Sequence, residues 1–123
     1  MSNKRLGVGF IGGGFIAKFH IRSWVGVHHA DILGIMSRTE ESANRAAALA
    51  NKLDVGNAKV YKSVTEMVAD PSIDAIWILA PNFTRIEVME EIVRAIESGK
   101  GELIGVACDS FIPAVAKGEW NPK

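Results

Sequence analysis

The chain has 123 residues, 48% of them hydrophobic, which is enough for one buried core but too few for two ordinary domains. Fourteen basic residues balance fourteen acidic ones without a basic cluster, which argues against nucleic acid or an anionic membrane as a partner. Cys108 is the only cysteine, so an internal disulfide is excluded, and with no signal-like or membrane-spanning stretch the expected location is the cytoplasm.

Apolar segments of strand length alternate with amphipathic helical stretches in the first half of the chain. The pattern predicts a strand over residues 6–11, a helix over 15–25, a strand over 32–36 and an alanine-rich helix over 40–53. Thr39 is the expected N-cap of that second helix. Glycines interrupt the pattern between the first strand and the first helix, at positions 12, 13 and 14.

The second half continues the alternation. It predicts strands over residues 60–61, 75–80 and 103–108, with helices between them. Ser63 with Glu66, and Thr84 with Glu87, have the spacing of capping boxes, and Gly99 stands where a helix C-terminus favours a left-handed residue. Residues 109–123 contain two prolines and no sustained period, so we expect an irregular C-terminal tail.

The glycines match a dinucleotide-binding motif. Gly12, Gly14 and Ala17 fit G-x-G-x-x-G/A directly after a strand and directly before a helix, which is the context that the motif requires. Gly12 permits a sharp turn, Gly14 permits close approach of a pyrophosphate, and Ala17 permits close packing of helix on strand. The alternative is a tight turn in an α/β protein that binds something else.

This motif in a β-α alternation predicts an α/β fold of the three-layer Rossmann type. Right-handed crossovers give a parallel sheet of order 3-2-1-4-5 with no second domain. The dinucleotide-binding domain is expected to cover residues 1–108, with the irregular tail at 109–123. The exposed edge of the fifth strand is a candidate surface for a homodimer.

Cofactor choice is usually made at the end of the second strand, where NAD-specific sites place a carboxylate. This chain has Ser37 and Arg38 there, while Asp31 lies at the other end of the strand. Arg38 suits the 2′-phosphate of NADP, which favours NADP over NAD; the alternative is a solvated arginine. Asn82, after Pro81, lies where strand order reverses and suits either the nicotinamide ribose or a plain helix cap.

The histidines and the cysteine are assigned no catalytic or metal-binding role from the sequence. His28 and His29 are adjacent and have no second ligand pair, so no metal site is expected. His20 lies within the first predicted helix, and Cys108 ends an apolar strand, so neither is assigned a catalytic role.

Several stretches together resemble the family of glucose-fructose oxidoreductase and inositol dehydrogenase (Gfo/Idh/MocA), from about Leu6 to Cys108. The resemblance is carried by residues 9–17 with His20, by Ser37-Arg38-Thr39, by the run from Asp70 to Asn82 and by residues 98–100. It implies an NAD(P)-dependent oxidoreductase acting on CH–OH groups. The cofactor contacts that it implies are Gly12, Gly14, Phe15, Ile16, Ser37, Arg38 and Asn82, with Ala80 and Pro81 near the nicotinamide.

The resemblance breaks at the end of the fifth strand. Where the family continues into Glu-Lys-Pro, this chain has Asp109, Ser110 and Phe111, so the lysine expected to act on the substrate hydroxyl is absent. Arg85 stands where the family often has a histidine, and no substrate domain follows, so the sequence resembles a truncated member. No catalytic residue is therefore assigned.

Two functions fit these observations. The first is the NAD(P)-binding domain of a sugar or polyol oxidoreductase, catalytically silent alone and completed by a partner chain that supplies a substrate domain. The second is a non-catalytic dinucleotide-sensing or protein-interaction module.

Overall fold

Parallel strands form the centre of the computed structural model, which describes residues 5–80 and 84–108. In chain order the elements are β1 (Leu6–Ile11), α1 (Phe15–Ser23), a 3-10 turn (Trp24–Gly26), β2 (Ala30–Met36), α2 (Glu40–Lys52), β3 (Lys59–Val60), α3 (Val64–Ala69), β4 (Ala75–Ile78), α4 (Arg85–Glu97) and β5 (Gly105–Cys108). The sheet order is β3-β2-β1-β4-β5 and every pairing is parallel, which confirms the predicted topology.

β1 occupies the middle of the sheet because its residues are apolar on both faces. It pairs with β2 on one side and with β4 on the other, and only Leu6 of its six residues is exposed. A strand covered on both faces needs continuous apolar sequence, and the segment LGVGFI meets that need.

Helices cover the sheet in two layers, one on each face. On the first face the buried alanines of α2 (Ala43, Ala46, Ala47 and Ala50) pack with Phe10 and Trp24. On the second face α3 and α4 pack over β4, with Met67, Ile76 and Ile92 at the centre. The small side chains of α2 let its backbone approach the sheet, as their spacing predicts.

Two of the three predicted helix N-caps, Thr39 and Ser63, are confirmed, and the third, Thr84, is wrong. Thr39 accepts a hydrogen bond from the Ser42 amide at 3.2 Å, and Ser63 accepts one from the Glu66 amide at 3.1 Å. Thr84 makes no such bond at the start of α4, because its backbone (φ −100°, ψ −4°) is already close to helical, whereas a capping side chain requires an extended residue.

Strand ends also differ from their predicted positions. β4 stops at Ile78 rather than at residue 80, because its neighbour β1 ends at Ile11 and leaves the later residues without a ladder. β5 begins at Gly105 rather than at residue 103 for a similar reason, since β4 begins at Ala75. Gly99 has φ +75°, which confirms the left-handed residue after α4.

Two predictions concern residues that the structure does not describe. The predicted irregular tail at 109–123 and the residues Pro81 and Asn82 lie outside the described residues. Among residues 5–80 and 84–108, no helix is long and apolar enough to cross a membrane.

Candidate functional site

A cleft of about 790 Å³ opens at the carboxyl ends of β1, β2 and β4. This is the point where the chain order of the sheet reverses, because β1 is followed in sequence by β2 on one side and neighbours β4 on the other. Open α/β sheets bind ligands at such points. Its described lining consists of Ile11, Gly12, Gly13, Gly14, Phe15, Ile16, Met36, Ser37, Arg38, Thr39, Ser42, Leu79, Ala80, Thr84, Arg85 and Val88.

Gly12 forms the sharp turn out of β1. It has φ +130°, and its amide donates to the Met36 carbonyl at 2.7 Å. A Cβ at this position would lie 2.7 Å from the Leu79 carbonyl oxygen, which belongs to rigid backbone. Glycine is therefore required here by the fold itself, whatever the cleft binds.

Gly13 is also required by packing, although the motif leaves its position free. A Cβ on Gly13 would lie 2.9 Å from the Ser42 carbonyl oxygen and 3.1 Å from the Ser37 Oγ. The turn formed by Gly12, Gly13 and Gly14, which we call the glycine turn, therefore lies in close contact with the first turn of α2. The motif does not predict this second contact, because it depends on how closely α2 approaches the glycines.

Gly14 differs from both of its neighbours. A Cβ built on it meets no protein atom within 4 Å among the described residues, and its backbone (φ −86°, ψ −155°) is accessible to other residues. Gly14 is the N-cap of α1 and makes no side-chain capping bond. The open space beside it lies in the cleft at the amino end of a helix, where an anionic group is stabilised by free amides.

The end of β2 supplies polar groups on one wall. The Ser37 and Ser42 hydroxyls lie 2.6 Å apart and hydrogen-bond to each other, while Thr39 caps α2. Arg38 follows on the exposed rim. Asp31 lies at the opposite end of β2 and forms an ion pair with Arg5 at 2.7 Å, so its carboxylate is remote from the cleft, as expected.

The opposite wall is formed by the end of β4 and the start of α4. Arg85 donates from Nη2 to the Ala80 carbonyl at 3.5 Å and lines the cleft beside Thr84 and Val88. Arg85 and Arg38 bring two positive charges to the cleft, and none of the lining residues described is acidic. The electrostatic character therefore suits a phosphate-bearing ligand.

Phe15 and Ile16 form an apolar mouth. They occupy the first turn of α1, and Phe15 is 77% exposed although it lines the cleft. The structure thus brings together seven of the nine predicted contact residues, namely Gly12, Gly14, Phe15, Ile16, Ser37, Arg38 and Ala80. The other two, Pro81 and Asn82, lie outside the described residues.

The histidines of the described part lie outside this lining. His20 packs in an aromatic group, with ring centroids 6.4 Å from Phe10 and 6.2 Å from Trp77. His29 has φ +71° in the turn before β2. Within residues 5–80 and 84–108 no group of three His, Cys, Asp or Glu side chains could hold a metal ion.

Comparison with known protein families gives one match that covers most of the chain. The NAD-binding Rossmann fold of the Gfo/Idh/MocA oxidoreductase family matches residues 6–100. The chain belongs to the Gfo/Idh/MocA family. The matched region contains the glycine turn, the end of β2 and the whole of α4, so the cleft lies within the family's NAD-binding domain. No curated protein matches the sequence.

Solved structures of similar fold include proteins that bind either nicotinamide cofactor. Myo-inositol dehydrogenase from Lactobacillus casei, in complex with NAD(H) and myo-inositol, is 21% identical with a TM-score of 0.67, over 84% of this chain and 28% of that one. An NAD-binding protein from Listeria innocua is 23% identical with a TM-score of 0.64, over 85% and 27%. Biliverdin reductase from Synechocystis, in complex with biliverdin and NADP+, is 17% identical with a TM-score of 0.61, over 89% and 39%.

The Gfo/Idh/MocA chain described here is therefore similar to only part of each of these proteins. It spans between 27% and 39% of their lengths. At these identities the likeness is one of fold.

Proposed function

We propose that residues 1–108 bind NAD(P) in this cleft as the cofactor domain of a sugar or polyol oxidoreductase, with residues 109–123 outside that domain. One observation carries the proposal: the fold requires glycine at positions 12 and 13 but leaves open space at position 14. A glycine that packing does not require, at a helix amino end in a cationic cleft, is explained by a ligand that needs the space. Bound there, the dinucleotide supplies a hydride donor or acceptor.

The lining residues divide by the part of the cofactor that they would hold. The amides of the glycine turn and the first turn of α1, with Phe15 and Ile16, would contact the pyrophosphate. Ser37 and Arg38 would contact the adenosine ribose and its substituent. Ala80, Pro81 and Asn82 would lie beside the nicotinamide end.

Replacing Gly14 by valine tests the pyrophosphate site. A Cβ at position 14 meets no atom of the described residues within 4 Å, so we expect the branched side chain to occupy space in the cleft and to weaken dinucleotide binding by ~100-fold or more while folding is retained. Isothermal titration with NAD and NADP measures the affinity, and thermal unfolding measures the stability.

Gly26→Val is the matched control for that variant. Gly26 also has no atom within 4 Å of a built Cβ, but it lies in the 3-10 turn and does not line the cleft. We expect its affinity for the dinucleotide to equal that of the unchanged chain. Equal affinity of Gly14→Val and Gly26→Val would disprove the pyrophosphate assignment.

NADP is the favoured cofactor because Arg38 stands where an NAD-specific site has a carboxylate. A charge-assisted bond to the 2′-phosphate contributes about 1.5–3 kcal/mol, so NADP should bind roughly 10-fold to 150-fold more tightly than NAD. Arg38→Ala should remove most of that difference by weakening NADP alone. Arg22→Ala changes an exposed arginine of α1 outside the cleft and should leave the ratio unchanged. Equal affinities for NAD and NADP in the unchanged chain would contradict the preference.

These 123 residues are proposed to be catalytically silent alone and to act in the cytoplasm. The support is the sequence Asp109-Ser110-Phe111 in place of the family's Glu-Lys-Pro. A second candidate, a dinucleotide-sensing interaction module, is favoured by the exposed apolar flank of α4. Sedimentation with and without NADP separates the two, because only a sensor changes its association state when the cofactor is added.

A further inference from the structure

Arg85 brings a positive charge into the cleft from the first residue of α4. Its side chain is half-buried, whereas Arg38, on the opposite wall, is exposed at the rim. Water screens a half-buried charge less than an exposed one, so an anion beside Arg85 is stabilised more strongly than an anion at the rim. Of the two arginines, Arg85 is therefore better placed to hold a charged group inside the cleft.

The guanidinium group of Arg85 lies at the end of β4. Its Nη2 donates to the Ala80 carbonyl at 3.5 Å. Residues 79–80 in turn adjoin the glycine turn, because a Cβ built on Gly12 would lie 2.7 Å from the Leu79 carbonyl oxygen and 3.1 Å from the Ala80 nitrogen. The Arg85 side chain and Gly12 therefore lie beside the same short segment of backbone.

A guanidinium group is well suited to bind a phosphate. It carries a positive charge and five N–H donors in a planar fork, which matches the geometry of phosphate oxygens. With five donors, Arg85 can keep its bond to Ala80 and also donate to a ligand. The bond to Ala80 limits the motion of this long side chain, which reduces the rotamer entropy lost when a ligand binds.

The two walls of the cleft correspond to two different phosphates of NADP. Gly13 adjoins the β2 wall, since a Cβ built on it would lie 3.1 Å from the Ser37 Oγ, whereas Gly12 adjoins the β4 wall. β2 and β4 flank β1, so they are about 10 Å apart, twice the spacing of neighbouring strands. The 2′-phosphate would lie at the end of β2, beside Arg38. Arg85, on the β4 side of the glycine turn, is closer to the pyrophosphate position.

We propose that Arg85 donates to the pyrophosphate of the dinucleotide, the anionic group that NAD and NADP share. The inference rests on the proposed function, because it requires a dinucleotide in the cleft, and it adds a binding residue from α4 to that function. The two arginines then have separate roles. Arg38 distinguishes NADP from NAD, whereas Arg85 strengthens the binding of both.

Three variants of the full chain test this role. Arg85→Gln removes the positive charge but keeps an N–H donor, and Arg85→Lys keeps the charge but loses the planar fork. Arg94→Gln is the matched control, because Arg94 is an exposed arginine of the same helix and is not among the described lining residues of the cleft. Isothermal titration with NAD, NADP and ADP-ribose measures the affinities, and thermal unfolding measures the stability of each variant.

The expected result is a uniform loss of affinity. Arg85→Gln should weaken the binding of NAD, NADP and ADP-ribose by the same factor, about 10-fold or more, because each complex loses a charge-assisted bond to the pyrophosphate. The ratio of the NADP and NAD affinities should stay unchanged. Arg85→Lys should lose about 5-fold at most, since an ammonium group still neutralises a phosphate. Arg94→Gln should bind all three ligands as the unchanged chain does.

Four other patterns of binding would overturn the assignment. Weakening of NADP alone would assign Arg85 to the 2′-phosphate, and weakening of NAD and NADP without ADP-ribose would assign it to the nicotinamide ring. Equal losses in Arg85→Gln and Arg85→Lys would indicate that the planar guanidinium stacks on the adenine ring. Unchanged affinity in Arg85→Gln would show that Arg85 only braces the start of α4.

The Gly14→Val variant distinguishes failure of this inference from failure of the proposed function. If Gly14→Val loses the dinucleotide and Arg85→Gln keeps it, cofactor binding stands and the role of Arg85 is wrong. If the unchanged chain binds no dinucleotide, both are wrong. If Arg85→Gln does not fold, Arg85→Lys still decides, because a loss well above about 5-fold, or one that differs among the three ligands, contradicts the assignment.

Discussion

Asp70 lies between α3 and β4 and gathers several hydrogen bonds. It accepts a hydrogen bond from the Tyr61 hydroxyl, from the Ser72 amide at 2.8 Å and from the Ser72 hydroxyl at 2.7 Å, with Lys59 at 3.2 Å. These bonds, the one from Tyr61 above all, hold the pKa of Asp70 well below its usual range. Burial, and then the bond to Asp70, raise the pKa of Tyr61 above its usual value.

The lowered pKa of Asp70 predicts a dependence of stability on pH. The unfolded chain, whose aspartates titrate near a pKa of about 3.9, binds this proton more readily than the folded one. Asp70 therefore contributes stability that is fully present above about pH 5, and that is lost as the pH falls through 4 towards the depressed pKa of the folded state. Urea unfolding at pH values from 7 to 3 measures this slope.

Asp70→Asn should remove part of that slope and cost about 1.5–3 kcal/mol at pH 7, because the charged acceptor of several bonds becomes a neutral amide. Asp54→Asn is a suitable control, since Asp54 is exposed and its left-handed backbone (φ +57°) accepts asparagine. If both variants lose stability equally, or keep the same acid slope as the unchanged chain, the network does not contribute as argued.

At the scale of the elements, the sequence predicts the order and kind of most helices and strands. The periodicity of α2 and the continuous apolar run of β1 are strong patterns, because buried faces leave little choice of residue. The strand order follows from right-handed crossovers once the elements are known. These features depend on local sequence and on general rules of chain geometry.

Element ends and parts of the site depend on contacts that local sequence does not encode. β4 ends where β1 ends, and the missing cap at Thr84 depends on how the chain enters α4. Gly12 and Gly14 follow from the motif, but the need for glycine at position 13 arises from the closeness of α2, which no spacing within β1 or α1 reveals. Arg85 reaches the cleft only because α4 begins at the end of β4.

At the scale of the whole molecule, the cleft and the exposed flank of α4 differ in the chemistry of their side chains. The cleft at the carboxyl ends of the strands is lined by glycine backbone and two arginines. The exposed flank of α4 carries apolar side chains, among them Ile86 and Val93. Because the cleft and that flank use different residues, a mutation in the cleft leaves the side chains of the flank unchanged.

Turnover depends on the whole molecule rather than on one residue or element. Oxidation of a polyol requires a pocket that holds the reacting carbon in place and a base that takes the hydroxyl proton. Ser110 stands where the family has its lysine, and a serine hydroxyl is too weak a base for that proton. If these residues are catalytically silent alone, as proposed, they lack general-base help of about 10²–10⁴-fold. We expect the purified 123-residue chain to bind NADP without reducing it in the presence of myo-inositol, glucose or other polyols.

Ser110→Lys should not restore activity, because a base without an oriented substrate contributes little. The measurement is absorbance at the reduced-cofactor band, with mass spectrometry to exclude a contaminating dehydrogenase. Reduction of NADP at an ordinary enzymatic rate by the pure chain would show that these residues complete an active site by themselves.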